Sequence, residues 1–161
     1  MSLTYAEILN GSPLARSAPG ARHEQICSRL HQWVRASVAN FNGTRLLPPR
    51  SEVQLSRKHT VCPDLALVAA ATGKMWLAAE IVSSDDHRPD TVIKKQIYEE
   101  MKLPRLWMID PRYDNVEVYH SNEYGLILKS ILAGHELLTE KLLPEFQLTI
   151  AELFAAEPQP R

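Results

Sequence analysis

The segment CPDLALVAAATGKMWLAAEIV, residues 62–82, holds two short apolar runs on either side of Thr72-Gly73-Lys74. Runs of this length, rich in Leu, Val and Ile and parted by a Gly-containing turn, predict a β-hairpin with strands over 62–68 and 75–82. Each strand carries one carboxylate, Asp64 and Glu80, where strand interiors disfavour them. Burying an unpaired carboxylate is costly, so a salt bridge, a proton or a metal ion must compensate. With an odd-length loop centred on Thr72, Asp64 falls directly opposite Glu80 on one face. Opposed residues in an antiparallel pair have Cβ atoms about 4.5–5.5 Å apart. Two carboxylates that close repel unless a cation or a proton lies between them. A hard divalent ion such as Mg²⁺ suits that gap, since it takes one or two carboxylates and keeps its waters. A two-residue turn at Thr72-Gly73 would instead put the acids on opposite faces.

Outward from the hairpin, Asp90 is expected to cap a helix over 91–102, with Ile93 and Ile97 on its buried side and Pro104 ending it. Lys94 adjoins that side, four residues before Tyr98, so the two share a flank. A lysine there can hold a water or a phosphate oxygen near the acids; the alternative is a solvent-facing Lys94-Lys95 pair. Leu106 to Ile109 predicts a short strand buried on both faces. Val116–His120 and Leu126–Leu132 predict a second hairpin, and His135–Thr139 a strand extending that meander. Thr149-Ile150-Ala151-Glu152 matches a capping box for a last helix to about residue 156. On the N-terminal side, Ile26, Leu30, Trp33, Val34, Val38 and Phe41 recur at helical spacing, giving a long amphipathic helix over about 20–41. Residues 3–10 read as a short helix stopped by Gly11, 11–20 as a loop, and 51–55 as a strand. The order gives a mixed α/β domain: a central mixed sheet flanked by helices, with an added antiparallel meander. One domain spans 1–161, its core about 20–156, with 157–161 a loose tail.

The 161 residues are 45% hydrophobic and 23% charged, which excludes a disordered or fibrous chain. No run approaches the length of a membrane span, and residues 1–13 lack a basic start followed by an apolar stretch. A cytoplasmic protein is expected, with no membrane partner. Cys27 and Cys62 sit in no CxxC and are expected to be reduced core thiols. The net charge of −1 hides an asymmetry. Residues 1–60 carry eight Lys/Arg against three acids, and residues 61–161 ten against sixteen. Arg16, Arg22, Arg29, Arg35, Arg45, Arg50 and Arg57 dominate the basic third, a residue type suited to phosphate. A face for an anionic polymer and a merely solvated surface both explain them.

The ordered set Pro63-Asp64, Glu80-Ile81-Val82-Ser83, Asp90-Thr91-Val92-Ile93-Lys94, Tyr98 and Trp107-Met108-Ile109-Asp110-Pro111 resembles the Uma-two family. That family belongs to the PD-(D/E)XK nuclease superfamily of restriction-endonuclease-like proteins. The resemblance runs from about His23 to Phe154 and includes His23-Glu24-Gln25-Ile26 and Leu143-Pro144-Glu145-Phe146. It implies a restriction-endonuclease-like core and a metal-dependent phosphodiesterase. Asp64 and Glu80 would hold Mg²⁺ or Mn²⁺, with the Ile81 backbone carbonyl as a further ligand. The superfamily lysine usually stands two residues after the Glu, where this chain has Val82. The Uma-two family places it on the following helix, and Lys94 matches; Lys95 is the fallback. Ser84 stands for the usual Pro of a Glu-x-x-Ser-Pro run, and Lys102 to Trp107 departs from the family's Gly-Val-x-Glu-Tyr-Trp.

The resemblance thus implies a nuclease acting on nucleic acid, with DNA the expected polymer and a homodimer the expected assembly. Asp64, Glu80 and Lys94 would be catalytic. No separate organic cofactor is expected. His23, three residues before Ile26, either points into the cleft or is a core histidine with one hydrogen bond. The alternative function is a non-catalytic nucleic-acid-binding or interaction module on the same fold. A third reading makes the buried acids structural partners of Arg50 or Arg57.

Overall fold

Why the two acids meet is answered by the pairing of the hairpin. In the computed structural model, which describes residues 4–83 and 87–156, the strands are β6 (Leu65–Ala69) and β7 (Met75–Ile81). Leu65 pairs with Ala79, Ala66 with Ala78 and Leu67 with Leu77. The ladder ends at Leu65: Asp64 stands just before β6, and its side chain takes the Ile81 N–H beside Glu80, so both acids lie at the same end of the hairpin. The turn end pairs differently, Val68 with Met75, and the register shifts between. The loop is therefore not the odd-length one expected. A bulge that takes in Trp76 on β7 restores the pairing that an odd loop would have set, because one extra residue flips the side-chain alternation beyond it. Met75 accordingly shares a core with Ala78, not with Leu77 and Ala79.

The remaining elements are β1 (Tyr5–Leu9), β2 (Ser12–Arg16), α1 (Ala21–Val38), β3 (Thr44–Leu46), β4 (Val53–Ser56), β5 (His59–Val61), a π-turn over Pro89–Lys94 continuing as α2 (Lys95–Glu100), β8 (Arg105–Asp110), β9 (Asn115–Asn122), β10 (Gly125–Ala133), β11 (Leu137–Glu140), β12 (Leu143–Thr149) and α3 (Ile150–Phe154). Six strands form the central sheet in the order β10-β9-β8-β7-β6-β3. β7 and β8 run parallel, joined by the crossover through α2, and the other pairs are antiparallel. The sheet is thus mixed, as expected, with β8-β9-β10 as its meander. No described helix is long and apolar enough to cross a membrane.

The sheet buries both faces. On one, Ile26, Leu30 and Val34 of α1 pack against Leu65, Leu67, Leu77, Ala79 and Ile81, and Trp107 stacks on Phe146 of β12 with ring centroids 5.4 Å apart. On the other, Ala66, Ala78, Leu106 and Met108 meet Ile97 and Tyr98 of α2, with Leu9 and Val61 from a separate four-stranded sheet ordered β2-β1-β5-β4. Each fully buried Leu or Ile contributes about 1.5–3 kcal/mol, so the two layers hold the strands that carry the acids firmly.

Four further expectations fail. Residues 3–10 are not a helix. Among the described residues, Tyr5–Leu9 is a strand, and Asn10 (φ 54°) with Gly11 (φ 79°) makes the two-residue turn to β2, which replaces most of the expected 11–20 loop. Asn-Gly is the favoured pair for such a turn because both residues need positive φ. Pro13 is tolerated because β2 lies at the sheet edge. β11 does not extend the meander; it pairs with β12 in a two-stranded sheet of its own. Asp90 makes no cap hydrogen bond and lies inside the helix start. The expected C-terminal cap is present, Thr149 Oγ1 accepting from the Glu152 N–H at 3.1 Å. The expected loose tail 157–161 and the loop acids Asp85 and Asp86 lie outside the described residues.

Candidate functional site

Asp64 precedes β6 and meets α1 through His23, and Glu80 sits within β7 and meets α2 through Tyr98. Both are almost wholly buried, 4% and 2% exposed. Their surroundings differ. Asp64 Oδ1 accepts from His23 Nε2 at 2.8 Å and from an Arg50 guanidinium N–H at 3.0 Å. Its Oδ2 accepts from the Ile81 N–H at 2.8 Å. Burial pushes this carboxyl up, but the His23 and Ile81 hydrogen bonds and the Lys94 charge outweigh it and hold it below the usual carboxylate range.

Glu80 Oε1 accepts from the Tyr98 hydroxyl at 2.6 Å and lies 2.6 Å from Lys94 Nζ. The Lys94 ammonium, 1% exposed, also reaches Glu7 Oε2 at 2.7 Å, with Asp90 Oδ1 at 3.9 Å. Burial alone would lower its pKa, yet Glu80, Glu7 and Asp90 together hold it well above the ordinary lysine value. Glu7 is fully buried on β1. Its Oε2 also accepts from the Cys62 N–H at 2.8 Å, and its Oε1 from Arg16 at 2.5 Å. Arg16 forks onto both Asp90 oxygens at 3.3 and 3.1 Å.

Charge counting over this buried group is informative. Arg16 and Lys94 balance Glu7 and Asp90, leaving Glu80 as the odd carboxylate. Burial, with Asp90, Glu7 and Asp64 nearby, raises Glu80 to about 8 against the pull of Lys94. In the metal-free protein the surroundings thus push Glu80 toward its protonated form and Asp64 toward its ionised one.

The π-turn helps to gather these groups. Four residues advance about 40° round a straight α-helix, so every fourth side chain drifts away from a given line. The wider first turn offsets that drift, and Asp90, Lys94 and Tyr98 are all buried on the site side. Lys95 faces elsewhere, its ammonium 4.5 Å from the Tyr119 ring centroid.

Beside the acids lies a cavity of about 460 Å³. Tyr5, Arg16, His23, Asp64, Ile81 and Arg112 are among its lining residues, and Arg22 lies on the wall. His23 thus stands in the cleft with its ring on Asp64, in place of the core position also considered for it. Ile81 lines the same cavity through the segment whose N–H bonds Asp64. The structure therefore brings together Asp64, Glu80, Lys94, Ile81 and His23. Arg50 pairs with Asp64, as the structural reading anticipates for that residue.

The sequence reading missed Glu7 and Arg16, and read Asp90 only as a cap. The signal for Glu7 was present. Once Asn10-Gly11 is taken as a hairpin turn, Glu7 and Leu9 alternate onto one buried face, and an inward acid in a strand demands a partner. The Arg-rich third is less free than its charge suggests. Arg16 and Arg50 hold acids, Arg22 pairs with Asp114, and Arg29 caps the end of α3 through the carbonyls of Glu152, Leu153 and Ala155.

Among the described residues, no three His, Cys, Asp or Glu side chains converge as a ready-made metal cage. Asp64 and Glu80 do lie at one end of the hairpin, and two carboxylates are the number an ion that keeps its own waters requires.

The Uma2 family, described as "Putative restriction endonuclease", matches residues 3–151. A solved structure from Anabaena variabilis ATCC 29413, described as "a putative nuclease belonging to DUF820", superposes with a TM-score of 0.77. It covers 93% of this chain and 89% of its own, at 17% sequence identity, so the likeness is one of fold. No protein with a curated description matches the chain.

Proposed function

Since the chain belongs to the Uma2 restriction-endonuclease family, we propose that it is a metal-dependent endonuclease hydrolysing nucleic-acid phosphodiester bonds, with DNA as the polymer. Asp64 and Glu80 would hold Mg²⁺ or Mn²⁺, with the Ile81 carbonyl as a further ligand. Bound there, the ion would supply Lewis-acid polarisation of the phosphate and a nucleophilic water near neutral pH. The chain's own groups do the rest. His23, Arg50 and the Ile81 N–H fix the Asp64 carboxylate and keep it charged. Lys94 orients the attacking water or holds the oxyanion that develops on phosphorus. Arg16, Arg22 and Arg112 line the cavity wall, each already paired with an acid, and would exchange part of that pairing for an anionic backbone held without base readout.

The observation that supports this is a buried ammonium 2.6 Å from Glu80 at the hairpin end where Asp64 lines a cavity. Asp64 answers to more partners than a merely structural acid needs. One specific fact favours the alternative of a non-catalytic binding module: both acids are already satisfied by protein groups without a metal. The test is Mn²⁺ calorimetry on wild type and Glu80→Ala, followed by Mg²⁺-dependent cleavage of DNA by wild type and Asp64→Ala. Saturable binding lost in the first variant and cleavage lost in the second support the nuclease. Salt-sensitive DNA binding that persists in both variants with no cleavage supports the module.

A further inference from the structure

We infer that Glu7 is a positioning residue of the nuclease site: it is the second berth of the Lys94 ammonium, and so lets Glu80 be given up to a divalent cation. This rests on the metal-dependent reading above. The ammonium is shared almost evenly, 2.6 Å from Glu80 Oε1 and 2.7 Å from Glu7 Oε2. A divalent ion on Glu80 competes with that ammonium and with the Tyr98 hydroxyl for the same carboxylate. Were Glu80 the sole strong partner of Lys94, metal entry would strand a buried cation, since Asp90 stands only at 3.9 Å. Glu7 removes that obstacle.

Glu7 is built to stay where it is. Its Oε2 holds the Cys62 N–H and its Oε1 holds Arg16, so it cannot follow the ammonium. The backbone beneath it is fixed by the Asn10-Gly11 hairpin and by the Ile8–Thr60 pairing to β5. Neutralising Arg16 is not a sufficient reason for Glu7, because both Asp90 oxygens already fork onto that guanidinium. The oxygen nearest Lys94 also takes the Cys62 N–H, but that neutral donor calls for no charged acceptor, whereas the buried ammonium does.

The experiment is Mn²⁺ calorimetry on the full chain, comparing wild type, Glu7→Gln, Lys94→Met and the double variant. Glu7→Gln keeps one oxygen acceptor for the Cys62 N–H, leaves Arg16 to its fork on Asp90, and ends the sharing of charge, so Lys94 falls back on Glu80. Mn²⁺ binding should weaken by about tenfold or more, the equivalent of about 1.4 kcal/mol. Lys94→Met should bind at least as tightly as wild type, and the double variant should match Lys94→Met. A purely structural Glu7 would not have its defect erased by removing Lys94. Wild-type affinity in Glu7→Gln, or a double variant as weak as Glu7→Gln, overturns the inference while leaving the metal site standing. If Glu7→Gln does not fold, Lys94→Met against the double variant decides: equal affinity supports the inference, and a further loss in the double overturns it. No saturable Mn²⁺ binding to wild type overturns the nuclease reading and this inference with it.

Discussion

Glu80→Gln should make the metal-free protein more stable than wild type in alkaline solution, although it removes a buried ion-pair partner of Lys94. The carboxyl moves from 4.5 to about 8 on folding, through burial first and then the neighbouring acids. A group raised in this way binds its proton more tightly folded than unfolded. Its contribution is complete below 4.5 and is lost as the pH rises through 8. Each pKa unit is about 1.4 kcal/mol, so the loss across the window is on the order of several kcal/mol. Gln has no proton to lose, and its amide oxygen still accepts from Tyr98 and Lys94. Lys94 keeps Glu7, so the variant leaves Arg16 and Lys94 against Glu7 and Asp90, a balanced set. Urea unfolding with EDTA present, from about pH 5.5 to 8.5, reads the difference directly. The advantage of Glu80→Gln should grow by up to about 1.4 kcal/mol per pH unit, since all other titrations cancel between the two proteins. Parallel stability curves would refute the charge count and mean that Glu80 is ionised throughout.

Asp64→Asn should have the opposite sign. It weakens two charge-assisted bonds from His23 and Arg50 and should cost about 2–4 kcal/mol at neutral pH by thermal or urea unfolding. Buried His31 donates from Nε2 to the Asp64 carbonyl at 2.7 Å, and burial holds its pKa below 6.5. The unfolded chain takes up that proton first, so wild type should lose stability as the pH falls below 6.5, by up to about 1.4 kcal/mol per unit; His31→Gln should show a shallower acid limb in the same assay. Gly11→Ala meets open space but must keep a φ of +79°, so it should cost about 1 kcal/mol of stability without altering Mn²⁺ binding.

The strands of the candidate site were legible because an acid inside an apolar run contradicts its surroundings. Asp64 and Glu80 each break a pattern that Leu, Val and Ile otherwise complete. Their juxtaposition was reached through a loop that does not exist. The turn has the other parity, and the bulge at Trp76 corrects it, a compensation that no periodicity reveals. Lys94 was marked by its place beside Tyr98, but whether it faced solvent or the acids depended on the π-turn and on Glu7. Glu7 itself was lost because Tyr5–Leu9 is too short to separate a period of two from one of 3.6, and Gly11 serves equally well as a helix stop. β12 escaped for another reason. Its buried Leu143, Phe146 and Leu148 break strict alternation because the β11–β12 register shifts near Glu140.

The N-terminal hairpin carries a consequence for how the protein comes to life on the ribosome. Glu7 and Arg16 emerge well before their partners: Glu7 binds Cys62 across 55 positions and Arg16 binds Asp90 across 74. A hairpin with a two-residue turn forms locally and early, whereas contacts this distant are closed late. Until Lys94 has left the exit tunnel and β7 has found β8, the hairpin's inward acid has no cation beyond its own Arg16. A piece made earlier is thus put to use later, and a chain cut short before its middle is complete holds no assembled site.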